Sequence, residues 1–285
     1  MGNLKEIKIR MKSVESIHQI TKAMKMVASS RIHKAESLYK ARAPYTEQLN
    51  QIMANIQGQG EFSHPLLQVK DVITKVGILV ITGDKGLCGV YNNSIIRTAD
   101  RLRRKFEDEG LEVVNYLIGS KVCKHFERRG LKSLLSEVSW TPDDEFAELV
   151  FARLSSDFLS GVFDVVYIVG ADAKSRSAYV ISERQFLPFI SLIECSAESD
   201  FIFEPSAEKA INLIVPLILK QQLITALISA RYAEYSARII AMTNATENAE
   251  KLVEELRLNY FRARQAAITT EILEVSSAAV QMEKH

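Results

Sequence analysis

The chain has 285 residues, of which 47% are hydrophobic and 25% charged, and these values are ordinary for a soluble protein of one or two domains. Its formal net charge of +1 argues against a general nucleic-acid-binding protein. The charge is uneven, however, because residues 1–42 contain ten Lys or Arg against three Glu, a net charge of +7. Such a basic segment suits an acidic partner surface, and its alternative interpretation is a solvated face.

Both ends of the chain lack the residues that break helices. Asn3–Ala43 contains 41 residues without glycine or proline, and Leu217–His285 contains 69. At about 1.5 Å per residue, 69 helical residues would extend on the order of 100 Å, and such a helix needs a packing partner along its length. We therefore predict a long helix at each end of the chain.

Apolar residues of the N-terminal segment recur at steps of three and four, which is the spacing of a coiled-coil stripe. They are Leu4, Ile7, Met11, Val14, Ile17, Ile20, Met24 and Val27. The step of three between Val14 and Ile17 makes this stripe drift round the helix. The helix is predicted to run to about Ile56, with Pro44 as a kink or a break, and to end at Gly58.

The middle of the chain alternates predicted strands with predicted helices. The strands are 75–82, 112–118, 164–169 and 178–183, and the helices are 94–106, 120–129 and 142–160. Thr141 is the predicted N-cap of the third of these helices, with Pro142 at its first position. Alternation of helices with apolar strands predicts a small, Rossmann-like α/β domain with mainly parallel strands.

The turn Gly83–Gly89 lies between a predicted strand and a predicted helix, where a phosphate-binding loop would lie. It lacks the Gly-Lys-Ser/Thr ending of a P-loop, and its glycines at every third position do not match the GxGxxG pattern. A tight structural connection is the favoured interpretation of this turn, and a nucleotide site is the alternative.

Catalytic and metal-binding motifs are not indicated by the sequence. Cys88, Cys123 and Cys195 are widely spaced and form no CxxC motif, which argues against zinc and disulfides and fits a reducing compartment. The acidic residues 143–145 are interpreted as charge at a helix start and not as metal ligands.

The C-terminal segment is predicted to be one helix that is capped by Ser206 and bends at Pro216. Its most apolar part, Leu213–Ala230, is too interrupted by polar residues to predict a membrane span. Further on, small and apolar residues form one stripe, namely Ile239, Met242, Ala245, Ala249, Leu252, Leu256 and Ala263. Small residues let helices approach closely, and the middle domain brings the chain back, so we predict that the two terminal helices pair as an antiparallel coiled coil.

The C-terminal helix is predicted to be 28 residues longer than the N-terminal one, roughly 40 Å of helix. One end of it should therefore project beyond the pair. Because that end carries Ile268 and Val280, it requires a partner that encloses it. The predicted organisation is an N-terminal coiled-coil helix (1–57), an α/β domain (70–200) and a C-terminal coiled-coil helix (206–285).

Four segments occur in an order that is typical of one family. They are ITKAMKMVA at Ile20–Ala28, GLCG at Gly86–Gly89, SARIIAMTNATENA at Ser236–Ala249 and ARQAAITTEI at Ala263–Ile272. Together they resemble the signatures of the gamma subunits of F-type ATP synthases, and the resemblance covers essentially the whole chain.

This resemblance implies a non-catalytic rotor shaft that turns inside a ring of alternating alpha and beta subunits and couples ion flow to ATP synthesis. The α/β domain would then form a foot that joins the epsilon subunit and the c-ring. Since the catalytic sites would belong to the ring, we expect no cofactor, metal or nucleic acid on this chain. We expect one copy per complex on the cytoplasmic face of a bacterial plasma membrane, attached only through partner subunits.

The family motifs also mark candidate contacts with the alpha/beta ring. They are Lys22, Met24 and Lys25 on the N-terminal helix, and Arg264, Gln265 and Thr269 on the C-terminal helix. Met24 has an alternative role in coiled-coil packing. The chain departs from the family pattern at Lys25, where Glu is common, at Thr243, where Lys is common, and after Gly89.

Two other functions stay open at this point. A nucleotide-binding α/β enzyme with helical arms would rest on the turn Gly83–Gly89, and tight binding of ATP or NAD would favour it. A coiled-coil scaffold without a role in energy conversion is the other, and failure to copurify with alpha and beta subunits would favour it.

Overall fold

The computed structural model describes residues 2–58, 64–189 and 207–282. In chain order its elements are α1 (Gly2–Gly58), a short 3-10 helix (Pro65–Leu67), β1 (Lys75–Ile81), α2 (Tyr91–Asp108), β2 (Glu112–Ile118), α3 (Ser120–Arg128), β3 (Leu135–Glu137), α4 (Asp144–Leu159), β4 (Val165–Ser175), β5 (Ala178–Leu187) and α5 (Ala207–Met282). These residues form two compact units. The helix-pair unit contains the residues up to Val27 and those from Ile240 on, and the central unit is Ala28–Ile239.

The central unit is built on a five-stranded sheet with the strand order β3-β2-β1-β4-β5. β1 lies between β2 and β4 and is parallel to both, β2 is parallel to β3, and β5 joins β4 antiparallel. This topology confirms the predicted α/β domain with mainly parallel strands. It also contains the short edge strand β3, which the apolar runs of the sequence did not indicate.

Two hydrophobic cores cover the two faces of this sheet. Successive side chains of β1 alternate between them, because residues of a strand point to opposite faces. Leu79 and Ile81 belong to the core that contains α4 and the first half of α5, whereas Ile78 and Val80 belong to the core that contains α2 and α3. The strand is buried on both sides, which explains its unbroken apolar sequence.

Two predicted helix starts differ from the structure. α2 begins at Tyr91 and not near residue 94, because the Asn92 carboxamide accepts a hydrogen bond from the Gly83 N–H at 2.9 Å and fixes the first turn. The prediction of Thr141 as the N-cap of α4 was wrong. The cap is Asp143, whose carboxylate accepts from the Phe146 N–H at 2.9 Å, while Thr141 donates to that carboxylate.

The last two strands are longer than predicted, and the predicted cap of α5 lies outside the described residues. β4 and β5 pair from Val166 with Leu187 to Ser175 with Ala178. Polar residues fill the outer part of this hairpin, so its ladder extends past the apolar run. Ser206 and Cys195 lie in the part of the chain that the structure does not describe.

The terminal helices run antiparallel, as predicted. In the helix-pair unit, Val14 packs with Ala249 and Leu256, and the Thr246 hydroxyl donates to the Thr21 hydroxyl at 2.9 Å. Rising numbers on α1 therefore meet falling numbers on α5. α1 continues through Pro44 without ending. Proline lacks an N–H group and so removes one helical hydrogen bond, but tertiary packing can hold the rest of the helix.

By length and composition α5 could cross a membrane, since it contains an 18-residue window of mean hydropathy 1.7. Of that window, 56% is buried inside the protein. The core helix of a soluble protein passes the same test, so this composition is weak evidence for a membrane span and agrees with the buried position of the helix.

Asp164 ties the loop before β1 to the start of β4. Its carboxylate accepts hydrogen bonds from Lys70 Nζ at 2.6 Å, from Thr74 N and Oγ1 at 2.8 and 2.9 Å, and from Lys75 N at 2.9 Å. Burial alone would raise the pKa of Asp164, but these donors outweigh it and hold the pKa well below its usual range.

Replacing Asp164 by asparagine should therefore remove about 2 kcal/mol of stability at pH 7, because four hydrogen bonds lose a buried, charged acceptor. Since the folded pKa is depressed, this contribution is present above about pH 4 and is lost as the pH falls further. Urea unfolding at pH 5 and pH 3 should show a smaller acid-induced loss of stability in Asp164→Asn than in the wild type. Asp172→Asn, which removes only an exposed pair with Arg184, is the control, and equal pH dependence in all three proteins would contradict the assignment.

Candidate functional site

The six residues predicted to contact the ring lie in the helix-pair unit. On α1, Lys22 is exposed, while Met24 and Lys25 are half-buried. On α5, the other three are all exposed, namely Arg264, Gln265 and Thr269. The Thr269 hydroxyl donates to the Gln265 carbonyl at 2.9 Å, an ordinary bond within a helix.

The structure does not bring the two predicted sets together. Thr21 faces Thr246, so Lys22 and its neighbours lie almost 20 residues, or roughly 30 Å of helix, from Arg264. They define two separate heights on the helix pair. A partner that contacts both must therefore be long or consist of several subunits.

The seam between the paired helices follows a regular heptad that differs from the predicted stripe. Buried and half-buried positions of α1 recur at alternate steps of three and four, at Leu4, Ile7, Met11, Val14, His18, Thr21 and Lys25. Ile17, Ile20 and Val27, which we had assigned to the stripe, are 50%, 58% and 53% exposed. The prediction was wrong at these positions because the helix keeps its heptad through polar residues, and apolar residues outside the heptad turn outward.

These outward residues form an apolar face that the sequence analysis had assigned to packing inside the chain. Ile17 and Ile20 lie one helical turn apart, and Ile9, which is 59% exposed, lies on the same side of the helix as Ile20. Exposed apolar faces of this kind mark interaction surfaces. Lys25, by contrast, lies in the seam, which favours a structural role for its aliphatic stem.

The end of α5 has no packing partner among the described residues. In the observed register the first residues of α1 lie opposite about residue 265 of α5, given the common rise of both helices. From Ile268 to Ser277 every residue is exposed, including Ile272, Leu273 and Val275 at 63%, 61% and 70%. This confirms a C-terminal helix that projects beyond its pair and exposes apolar side chains.

A different polar arrangement lies in the central unit, where α5 meets the turn Gly83–Gly89. Glu234 of α5 is 2% exposed and pairs with two arginines of the same helix. Its Oε2 accepts from Arg231 Nη1 at 2.8 Å, and its Oε1 accepts from Arg238 Nη2 at 2.5 Å. Both cations thus share one buried carboxylate, which would be very costly to bury alone.

Gly83 is in direct contact with this carboxylate. A Cβ atom added to Gly83 would lie 2.8 Å from Glu234 Cδ, so only glycine fits without displacing Glu234. Doubly wound α/β folds bind ligands beside the carboxyl ends of their strands, next to such a turn. Here Glu234 and its arginines lie at that position, beside a cavity of about 580 Å³ that Asp84 and Lys85 of the turn also line. Because both arginines are already paired with Glu234 inside the helix, the arrangement favours the structural interpretation of the turn.

Arg231 also connects this turn to the loop after β3. Its guanidinium stacks on the Trp140 ring with the Cζ atom 4.0 Å from the ring centroid, and its Nη2 donates to the Trp140 carbonyl at 2.6 Å. The Trp140 indole N–H donates to the Thr82 carbonyl at 3.0 Å. No motif in the sequence indicated this arrangement of Arg231, Glu234, Arg238 and Trp140. Its only local signal is charge at steps of three and four inside an alanine-rich, otherwise apolar helix.

Burial disfavours the reactive thiolate form of the two cysteines Cys88 and Cys123. Burial raises the pKa of Cys88 and also that of Cys123, which lowers the thiolate fraction of both. Asn92 Nδ2 lies 3.0 Å from Cys88 Sγ. Within the described ranges, no group of His, Cys, Asp and Glu could hold a metal ion.

Paired terminal helices with an unenclosed apolar end, joined to a doubly wound domain, define a subunit that works inside a larger assembly. A family model described as ATP synthase matches residues 3–281. The chain is 33% identical to the ATP synthase gamma chain of Acidithiobacillus ferrooxidans over 98% of this chain and 99% of that one. It is 34% identical to the gamma chain of Aquifex aeolicus, with 96% of each covered.

Solved structures give the same result. The central stalk and c-ring structure of the Tetrahymena thermophila mitochondrial ATP synthase contains a similar chain, with 25% identity, a TM-score of 0.57, and 79% of this chain and 99% of that one covered. A rotor chain of the Euglena gracilis mitochondrial enzyme shares the fold at a TM-score of 0.66 and 16% identity, with 94% and 99% covered. The chain belongs to the gamma-chain family of ATP synthases, the central-stalk rotor subunits, as the resemblance predicted.

Proposed function

We propose that the chain is a non-catalytic rotor shaft, which couples ion flow through a membrane sector to ATP synthesis or hydrolysis on a ring of alpha and beta subunits. The observation that carries this proposal is the free end of α5. It exposes Ile272, Leu273 and Val275 along a helix that has no partner among the described residues. A sleeve formed by other subunits would remove these side chains from water.

The helix pair also has the asymmetry that a rotor requires. The apolar face around Ile17 and Ile20 lies on one flank of α1, and the exposed Lys22, which forms no ion pair within the described residues, lies on the other flank, about 140° round the helix from Ile17. A ring of three beta subunits would therefore meet three different surfaces at one time. Each beta subunit is then biased towards a different conformation and nucleotide affinity, and rotation carries that bias round the ring. Because coupling is reciprocal, hydrolysis in the ring would turn the shaft.

Individual contacts follow from exposure and charge. Lys22 is placed to attract acidic loops of the beta subunits, and Arg264 and Gln265 supply donors at the second height. Thr269 continues that face by one turn. Met24 and Lys25 are half-buried, so we assign them a shared role in the seam and in the ring contact.

The central unit would join the epsilon subunit and the c-ring. One copy of the chain would then serve each complex, on the cytoplasmic face of a bacterial plasma membrane, with membrane attachment through those partners alone. Bacterial relatives that match over their whole length support this location.

Co-expression with alpha and beta subunits of the same organism tests the proposal. We expect one copy of the chain to copurify with the ring, and a bead fixed to the central unit to rotate when ATP is added. Failure to copurify would favour the scaffold. Calorimetric titration of the isolated chain with ATP and with NAD tests the other alternative. Tight stoichiometric binding of either ligand would favour the nucleotide-binding enzyme.

A further inference from the structure

The ten residues Ser229–Arg238 of α5, here called the gripped segment, are largely buried in the central unit. Eight of them are buried and the other two, Arg231 and Tyr235, are half-buried. Ten residues make almost three helical turns, so no face of the helix is exposed over this length, although the face with Arg231 and Tyr235 borders a cavity of about 580 Å³. A helix that packs on one side only would show an exposed stripe instead.

Hydrogen bonds to the gripped segment come from several separate parts of the central unit. At its start, the Ser229 hydroxyl accepts from the Ala173 N–H of β4 at 3.0 Å, and the Ala230 carbonyl accepts from the Tyr91 hydroxyl of α2 at 2.8 Å. At its end, the Ser236 hydroxyl donates to the Arg176 carbonyl in the β4–β5 turn at 2.9 Å. Ser229 and Ser236 are seven residues apart and lie on one face of the helix, whereas Arg231 and Arg238 lie on the opposite face, so the anchors as a set do not follow one line.

The charged centre of the segment adds two further anchors. Arg231 bonds to the Trp140 carbonyl after β3, and Arg238 Nη2 lies 3.4 Å from the Gly86 carbonyl in the turn after β1. Glu234 holds both guanidinium groups, so their directions are fixed relative to each other. Removing this carboxylate would leave the buried Arg238 without its carboxylate partner and Arg231 with only the longer pair to Asp84, at 3.4 Å.

α1 buries Ile32 and Met53 in the cores of the same unit, but its ion pairs there are more exposed than those of the gripped segment. Arg42 pairs with Asp144, which is 62% exposed, and Glu36 pairs with Arg176, which is 56% exposed. Solvent screens such exposed pairs, and they resist displacement poorly.

We infer that the gripped segment is the joint through which torque passes between the central unit and α5, and that Glu234 is its positioning residue. This inference rests on the proposed rotor function. A helix that is held on one face can roll about its axis, whereas anchors distributed round its circumference oppose rotation in both senses. The joint therefore couples the foot to the longer of the two terminal helices.

Single-particle rotation of the assembled alpha, beta and gamma complex tests the joint. A bead is attached to the exposed face of α2 through Arg104→Cys, with Cys123 and Cys195 replaced by serine. The angular variance of the bead is then measured while the ring is stalled. Glu234→Gln keeps the shape of the side chain but removes its charge, and we expect the variance to rise at least twofold with ATPase activity at zero load unchanged within twofold.

The matched control is Glu148→Gln on α4. It removes an exposed ion pair with Lys220 of α5 and should leave the variance unchanged. If Glu234→Gln does not assemble, Arg238→Lys provides the same readout with the charge retained and the contact to Gly86 lost. Equal variance in the wild type and in the assembled joint variant would overturn the inference. A wild-type chain that does not join the ring would instead overturn the rotor function, so the two failures are distinguishable.

Discussion

Replacement of Gly119 by alanine is expected to destabilise the central unit by about 4 kcal/mol, more than any other single change of one methyl group considered for this chain. Gly119 links β2 to α3 with φ at +102°, a conformation that alanine rarely adopts. An added Cβ atom would also lie 2.2 Å from the Thr82 carbonyl oxygen and 2.6 Å from Thr82 Oγ1. Backbone strain and a steric clash therefore add at one position.

Thr82 cannot move aside to relieve this clash. Its N–H donates to the Ile118 carbonyl at 2.8 Å, its hydroxyl oxygen accepts from the Val122 N–H at 3.2 Å, and its carbonyl accepts from the Trp140 indole. These bonds join the end of β1 to β2, to the first turn of α3 and to the loop after β3. A shift of Thr82 would break them and disturb the contact between Gly83 and Glu234.

Urea unfolding, monitored by tryptophan fluorescence, checks this expectation. Trp140 is the only tryptophan and is bonded to Thr82, so its signal reports the affected edge. Gly110→Ala is the matched control, because Gly110 also has a positive φ, +80°, but nothing lies within 4 Å of its added Cβ. We expect it to cost about 1 kcal/mol. Similar losses in the two variants would mean that the clash with Thr82 has no part in the effect.

Local sequence patterns predicted the elements of the central unit well because its strands are buried on both sides. The apolar run of β1 could be read directly, and so could β2, whose predicted bounds were correct. The strand order could not be read, because it depends on which strands meet in space. β3 has only three residues and is held by pairing with β2, so no local pattern marks it.

The helix seam shows a different limit of sequence analysis. Apolar spacing placed Ile17 and Ile20 inside the pair, whereas the helix keeps a heptad through Thr21, which bonds to Thr246. A single polar pair can hold such a register at little cost when its hydrogen bond is made. The apolar residues that leave the heptad are then available to a partner, so the misassigned positions are those of functional interest.

The candidate site was predictable only in part. Family motifs supplied Lys22 and Arg264, and the unequal lengths of the helices supplied the free end of α5. The spacing of Glu234 from its two arginines permits the ion pairs inside α5. Their burial could not be predicted, because it depends on the loops after β1 and β3 meeting one turn of α5. Three charged residues in an apolar helix gave a signal that buried partners exist, but not what those partners are.

Truncation of the chain after Ala266 is expected to reduce its binding to the alpha/beta ring at least tenfold while the central unit stays folded. The deleted segment exposes Ile268, Ile272, Leu273 and Val275. Each such side chain contributes about 1.5–3 kcal/mol when it is fully buried, and about 1.4 kcal/mol corresponds to a tenfold change in affinity. Even incomplete burial of these four side chains in a sleeve would therefore exceed the tenfold loss.

Copurification of the truncated chain with alpha and beta subunits, at several subunit concentrations, measures this loss. Both hydrophobic cores of the central unit consist of residues between Ile32 and Ile239, so the urea midpoint reported by Trp140 should not change. The control on the same segment is Glu271→Gln with Glu274→Gln, which alters two charges and leaves the apolar side chains in place. Wild-type affinity of the truncated chain would show that no subunit encloses the end of α5. Loss of cooperative unfolding would show instead that this end supports the central unit, and the apolar side chains would then have a purpose inside the chain.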